Sequence, residues 1–126
     1  MASPADRRYA NTHEWHLLDG NRVSIGITRF AVDELTDVTY LEITKTEGPV
    51  QAGEPVGEIE SVKATSDIYS GIAGTVIAIN QQVLDDPSII NAGPFGTGWF
   101  LLIQIDDCSQ LESLMTAQQY DQMTAG

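Results

Sequence analysis

One of the chain's two lysines, Lys63, stands in the stretch Gly57-Glu58-Ile59-Glu60-Ser61-Val62-Lys63-Ala64-Thr65-Ser66-Asp67. From Glu58 to Val62 polar and apolar residues alternate, the period of a half-buried strand. Thr65-Ser66-Asp67 then supplies small turn formers. This pattern puts Lys63 at the tip of a hairpin, between the small neighbours Val62 and Ala64. An amine presented on such a support suits an enzyme that must recognise and acylate it. The ordinary alternative is a solvated turn lysine, since lysines are mostly exposed.

Other chemistry-bearing residues combine less well. His13 and Glu14 are adjacent before an expected strand, so their side chains should point to opposite faces and share neither a metal nor a proton. His16 adds no recognised metal spacing. Gly93-Pro94-Phe95-Gly96-Thr97-Gly98 is glycine-rich but precedes a strand, whereas a phosphate-cradling loop should open a helix. Cys108 is the single cysteine, which excludes an intrachain disulfide and a four-cysteine zinc site. No nucleophile has a base and an orienting acid beside it. The expectation is a chain without catalytic residues or a metal.

The elements that must position Lys63 are mostly strands. Trp15 to Leu18 and Arg22 to Ile27 flank Asp19-Gly20-Asn21, a strong hairpin signal. Thr28 is a plausible N-cap for a short helix through Leu35, with Phe30 and Leu35 turned inward. Alternation resumes from Asp37 to Thr44 but slips by one between Val38 and Leu41, which predicts a bulge. Strands follow through Ile59 and Val62, Ile68 and Tyr69, and Thr75 to Asn80. Asp86-Pro87 starts a helix, and Trp99 to Ile105 is a last apolar strand. Two capping boxes, Ser109-Gln110-Leu111-Glu112 and Thr116-Ala117-Gln118-Gln119, predict short helices at the end. Many short strands with marginal helices imply a mostly antiparallel sandwich or barrel. The domain reading is a single unit over 1–126, with a loose arm over 1–8 and a helical tail over 109–126.

Composition sets bounds on this reading. A chain of 126 residues has room for one modest core. A hydrophobic content of 42% argues against general disorder. The net charge of −12 repels nucleic acid and anionic membranes and favours partners with basic patches. No apolar run is long enough for a spanning helix, and Met1 to Arg8 is too short and polar for a secretory signal. A bacterial cytoplasmic protein is expected, or one of the mitochondrial matrix if a transit peptide has been removed.

Glu60-Ser61-Val62-Lys63-Ala64 resembles the lipoyl-attachment motif of glycine cleavage H proteins. So do Tyr9-Ala10-Asn11-Thr12-His13-Glu14-Trp15, Gly26-Ile27-Thr28 and Pro94-Phe95-Gly96-Thr97-Gly98-Trp99, in family order from about Tyr9 to Tyr120. The resemblance implies a lipoyl-domain sandwich of two antiparallel sheets (a barrel-sandwich hybrid) and lipoic acid in amide linkage on Lys63. It also implies a shuttle rather than an enzyme. A pyridoxal-phosphate glycine decarboxylase loads an aminomethyl group onto the arm, and an aminomethyltransferase passes the carbon to tetrahydrofolate. Dihydrolipoamide dehydrogenase then reoxidises the dithiol. A lipoyl-attaching enzyme is a further partner, and a monomer is expected. In the family the loaded arm folds into a cleft near carboxylates that match Glu14 and Asp67.

This chain departs from the family at several places. Arg29-Phe30 stands where most members have an acidic residue and then an aromatic or histidine. Leu35-Thr36-Asp37 lacks the usual glycine C-cap, and Leu41-Glu42-Ile43-Thr44 replaces a proline-containing run. The alternative function is an H-like lipoyl carrier in lipoyl relay or another redox pathway. A biotinyl carrier fits poorly, because biotin-accepting lysines usually lie between methionines.

Overall fold

A computed structural model describes residues 3–125. In chain order its elements are β1 Arg8–Tyr9, β2 Glu14–Asp19, β3 Arg22–Ile27, α1 Arg29–Leu35, β4 Val38–Ile43, β5 Gly48–Val50, β6 Pro55–Ser61 and β7 Thr65–Tyr69. They continue as β8 Gly74–Ile79, α2 Gln81–Asp85, α3 Ser88–Ala92, β9 Leu101–Gln104, a 3-10 helix Cys108–Ser113 and α4 Ala117–Ala125. One antiparallel sheet has the order β1-β2-β3-β9-β8-β5, and a smaller one has the order β4-β6-β7. The expected mostly β architecture, two antiparallel sheets with short helices at the margins, is the one that forms.

Alternation decides which faces meet. Val23, Ile25 and Ile27 of β3 are buried against Leu101 and Ile103 of β9, with Leu41, Ile43, Ile59 and Ile68 from the smaller sheet. Fully burying each such side chain contributes about 1.5–3 kcal/mol. The hairpin of β2 and β3 closes with Asp19 opposite Arg22, leaving Gly20 and Asn21 as its turn. Gly20 takes φ 67, which a glycine adopts without steric cost. The slip in β4 is a register shift between Val38 and Tyr40 against β6, so the bulge lies where the pattern placed it.

A second cluster joins the two ends of the chain. Tyr9, Trp15, Ala117 and Tyr120 are buried together, and Trp15 Nε1 donates to Pro94 O at 2.9 Å. The arm expected to be loose is tied down over its described part. Ser3 Oγ donates to Asp121 at 2.6 Å, the Arg7 guanidinium lies 4.7 Å from the Trp15 ring, and Arg8 already belongs to β1. These contacts cover an aromatic cluster that the hairpin alone would leave in water. Met1, Ala2 and Gly126 lie outside the described residues.

Local helix signals were met unevenly. Thr28 Oγ1 accepts from Ala31 N at 3.2 Å and caps α1, whose buried residues are Val32 and Leu35, while Phe30 is half-buried. The Thr116 box forms reciprocally, with Thr116 N donating to Gln119 at 2.9 Å and Gln119 N to Thr116 at 3.2 Å. The Ser109 box does not, because Asp107 accepts from Ser109 N at 3.0 Å and takes the capping role two residues earlier. The segment from Gln81 to Ala92 is two helices, and Asn80 caps the first by accepting from Gln82 N at 3.2 Å.

Candidate functional site: the lysine turn and its cleft

The turn that carries Lys63 is built by Ser61. Ser61 N donates to Ala64 O at 2.8 Å. The Ser61 hydroxyl accepts from Lys63 N at 3.1 Å and Ala64 N at 3.0 Å. Serine satisfies the turn's own amides in this way, so the strands reach Glu60 and Thr65, which pair directly. Thr65-Ser66-Asp67 therefore belongs to β7 and not to the turn. Lys63 is exposed, and Val62 beside it is 77% exposed.

The two lysines sit in different surroundings. Lys45 is paired with Glu54 at 3.1 Å. Lys63 Nζ donates to the backbone carbonyl of Glu34 at 3.2 Å, in the last turn of α1. An ammonium is well placed at a helix C-terminus, where carbonyls lack partners.

Beside the turn lies a cleft of about 300 Å³, lined among others by His13, Glu14, Phe30, Glu34, Ala64 and Asp67. Glu14 is only 1% exposed. Its Oε2 accepts from Tyr69 N at 3.0 Å, and Oε1 accepts from the Thr12 hydroxyl. Burial pushes the Glu14 carboxyl up to about 7, against the opposing pull of those hydrogen bonds. Asp67 is exposed, and its Oδ2 accepts from the Tyr69 hydroxyl at 3.4 Å. The structure thus brings Glu14 of β2 to a cleft beside the single hairpin that carries both Lys63 and Asp67.

The expectation that His13 and Glu14 face opposite ways is overturned, since both line the cleft. His13 precedes β2 and has φ 80, so strand alternation does not reach it. Its Nδ1 is 2.7 Å from the Tyr120 hydroxyl, which is 2.6 Å from Thr28 Oγ1. His16 is fully buried away from this cleft, accepts from Gly71 N at 3.0 Å through Nε2, and is pushed down to about 4 by burial. Among the described residues, no group of three or more His, Cys, Asp or Glu could hold a metal ion. No helix there is long and apolar enough to cross a membrane.

Sequence reasoning missed Thr12, the Glu34 carbonyl and the Thr28–Tyr120 contact. Thr28 was legible as a helix cap, but its second partner lies 92 positions away in sequence. No local pattern carries that pairing.

The family model described as Glycine cleavage H-protein matches residues 7–126. The glycine cleavage system H proteins of Bacillus pumilus (strain SAFR-032) and Bacillus subtilis (strain 168) are each 40% identical over 124 residues, 98% of this chain and 98% of theirs. The crystal structure of a glycine cleavage system H protein from Mycobacterium marinum superposes with a TM-score of 0.86 at 32% identity, covering 98% of this chain and 100% of that one. With its family model matched over nearly the whole length and its fold shared with a solved member, the chain belongs to the glycine cleavage H-protein family.

Proposed function

We propose that this chain is the lipoyl carrier of a glycine cleavage system, with Lys63 as the attachment point. The observation that supports this most is the exposed amine on a Ser61-braced turn beside a cleft walled by a buried carboxylate. These residues fit a tethered lipoyl group, since the amine is accessible for acylation and the adjoining cleft can take the arm's far end. When attached, that group supplies a cyclic disulfide that accepts and releases an aminomethyl group and is afterwards reoxidised.

The chain's own residues bind and shelter. Lys63 fixes the root of the arm. Glu14, poised near neutrality, is suited to hold the ammonium of the aminomethyl cargo, because a cation entering the cleft favours its charged form. The surrounding wall keeps water from the cargo. Asp67, exposed at the same cleft, adds a second negative charge. In this reading the chain is a non-catalytic cytoplasmic monomer. It is read in turn by the lipoyl-attaching enzyme, glycine decarboxylase, aminomethyltransferase and dihydrolipoamide dehydrogenase. Its charge of −12 favours basic docking patches on them.

The test is the rate at which lipoylated, aminomethyl-loaded protein loses its cargo in buffer. Glu14→Gln keeps the size of the side chain and removes its charge. It should lose the cargo at least about tenfold faster, the scale of one charge-assisted hydrogen bond. Equal rates would remove Glu14 from the shelter.

A further inference from the structure

The cleft wall contains an imidazole that the carrier reading leaves without a task. His13 has φ 80, a region that is strained for a residue with a side chain and persists only where the surroundings impose it. Here they do. His13 N donates to Ala10 O at 3.0 Å, its carbonyl accepts from Thr28 N at 3.0 Å, and its ring centroid lies 5.0 Å from that of Phe30.

The hydroxyls behind the ring favour one tautomer. Thr28 is buried, and its Oγ1 accepts from Ala31 N at 3.2 Å. Among the described residues, the partner left for the Thr28 hydroxyl hydrogen is Tyr120 Oη at 2.6 Å. Buried hydroxyls give their hydrogen to a partner where one is in reach. Thr28 then donates to Tyr120, and Tyr120 donates onward to His13 Nδ1 at 2.7 Å. As the acceptor, Nδ1 carries no hydrogen, and the ring N–H is on Nε2. His13 lines the cleft while Tyr120 does not, and with Nδ1 taken up by Tyr120 the donor the ring has left to offer is Nε2.

We propose that His13 is a positioning residue of the cleft, a neutral Nε2–H donor held by the Thr28–Tyr120 hydroxyl relay for the amide carbonyl at the root of the tethered arm. This rests on the carrier reading. The amide carbonyl is the strongest neutral acceptor such an arm offers. The nitrogen that would bear it, Lys63 Nζ, lies 3.2 Å from Glu34 O, and Glu34 lines the same cleft as His13. An acylated Nζ keeps one hydrogen, so it can still donate to Glu34 while the carbonyl turns to His13. A neutral donor also leaves Glu14 free for a cation, whereas an imidazolium would repel one. The carboxylates at this cleft are Glu14, Glu34 and Asp67. Burial holds the His13 ring below the ordinary histidine range against the pull of Glu34.

The first test needs no lipoyl group. Long-range proton–nitrogen NMR on the full unmodified chain, labelled at histidine, should show His13 protonated on Nε2 and not on Nδ1. Tyr120→Phe should relax this to a mixture of tautomers. A wild-type ring protonated on Nδ1 overturns the proposal. The second test follows cargo loss from the lipoylated, loaded chain. His13→Phe keeps the ring against Phe30 and should lose cargo up to about tenfold faster, while His13→Gln, which keeps an N–H at similar reach, should stay near wild type. If His13→Phe matches wild type while Glu14→Gln is fast, the role of His13 is refuted and the shelter reading stands. If wild type itself protects its cargo no better than a free lipoyl amide, both fall.

Discussion

At the residue scale, Glu14 and His16 make opposite demands on the proton. Glu14 is held above the ordinary carboxyl value of 4.5, at about 7, so between these values the folded chain keeps a proton that the unfolded chain has released. Stability from this group therefore falls as pH rises through that window. His16 is held below the ordinary histidine value of 6.5, at about 4, so between these values the unfolded chain takes up a proton that the folded chain refuses. Its contribution rises with pH over nearly the same range. At about 1.4 kcal/mol per unit, the two nearly offset each other from pH 4.5 to 6.5. In Glu14→Gln the offset is gone and the His16 slope remains. Urea unfolding at those two pH values should show the variant gaining about 2–3 kcal/mol relative to wild type on going to the higher one. A parallel pH dependence in the two proteins would mean that Glu14 is not held protonated by its surroundings. The sequence showed both residues but gave no hint of either burial, because their neighbours arrive from β7 and the segment after it.

At the element scale, two short segments decide the site. The first is the end of α1, where Thr36 takes φ 67 and ψ −124. Glycine adopts such a conformation freely, whereas a β-branched residue is strained there. Thr36→Gly should stabilise the fold by about 1 kcal/mol, read as a higher urea midpoint. A lower midpoint would show that the threonine contacts outweigh the strain. The missing glycine was visible in the sequence, but its cost becomes definite only with the backbone angles. The second is the lysine turn, whose two amides both depend on the Ser61 hydroxyl. Ser61→Ala should slow lipoylation several-fold while costing only about 1 kcal/mol of stability, with intact mass against time as the readout. The hairpin itself was legible because Glu58-Ile59-Glu60 alternates just ahead of the lysine. The exact turn was not, since Thr65-Ser66-Asp67 has turn composition yet is drawn into β7 by pairing with β6.

At the scale of the whole molecule, the large sheet and its aromatic end cluster form a platform, while the small sheet carries the lysine turn at one of its ends. The period-2 pattern of Val23, Ile25 and Ile27 announced the sandwich core. The closure of both chain ends over Trp15 was hidden, because it depends on Arg7 and Tyr120 meeting that ring's neighbourhood from opposite termini. Lys63 contributes nothing to either cluster. The measurement closest to the central claim is the mass of the full chain after co-expression with a lipoyl-attaching enzyme, followed by peptide mapping. The account predicts one lipoyl adduct, on Lys63, lost in a folded Lys63→Arg variant. An unmodified Lys63 after that co-expression, or an adduct carried on Lys45, would contradict it.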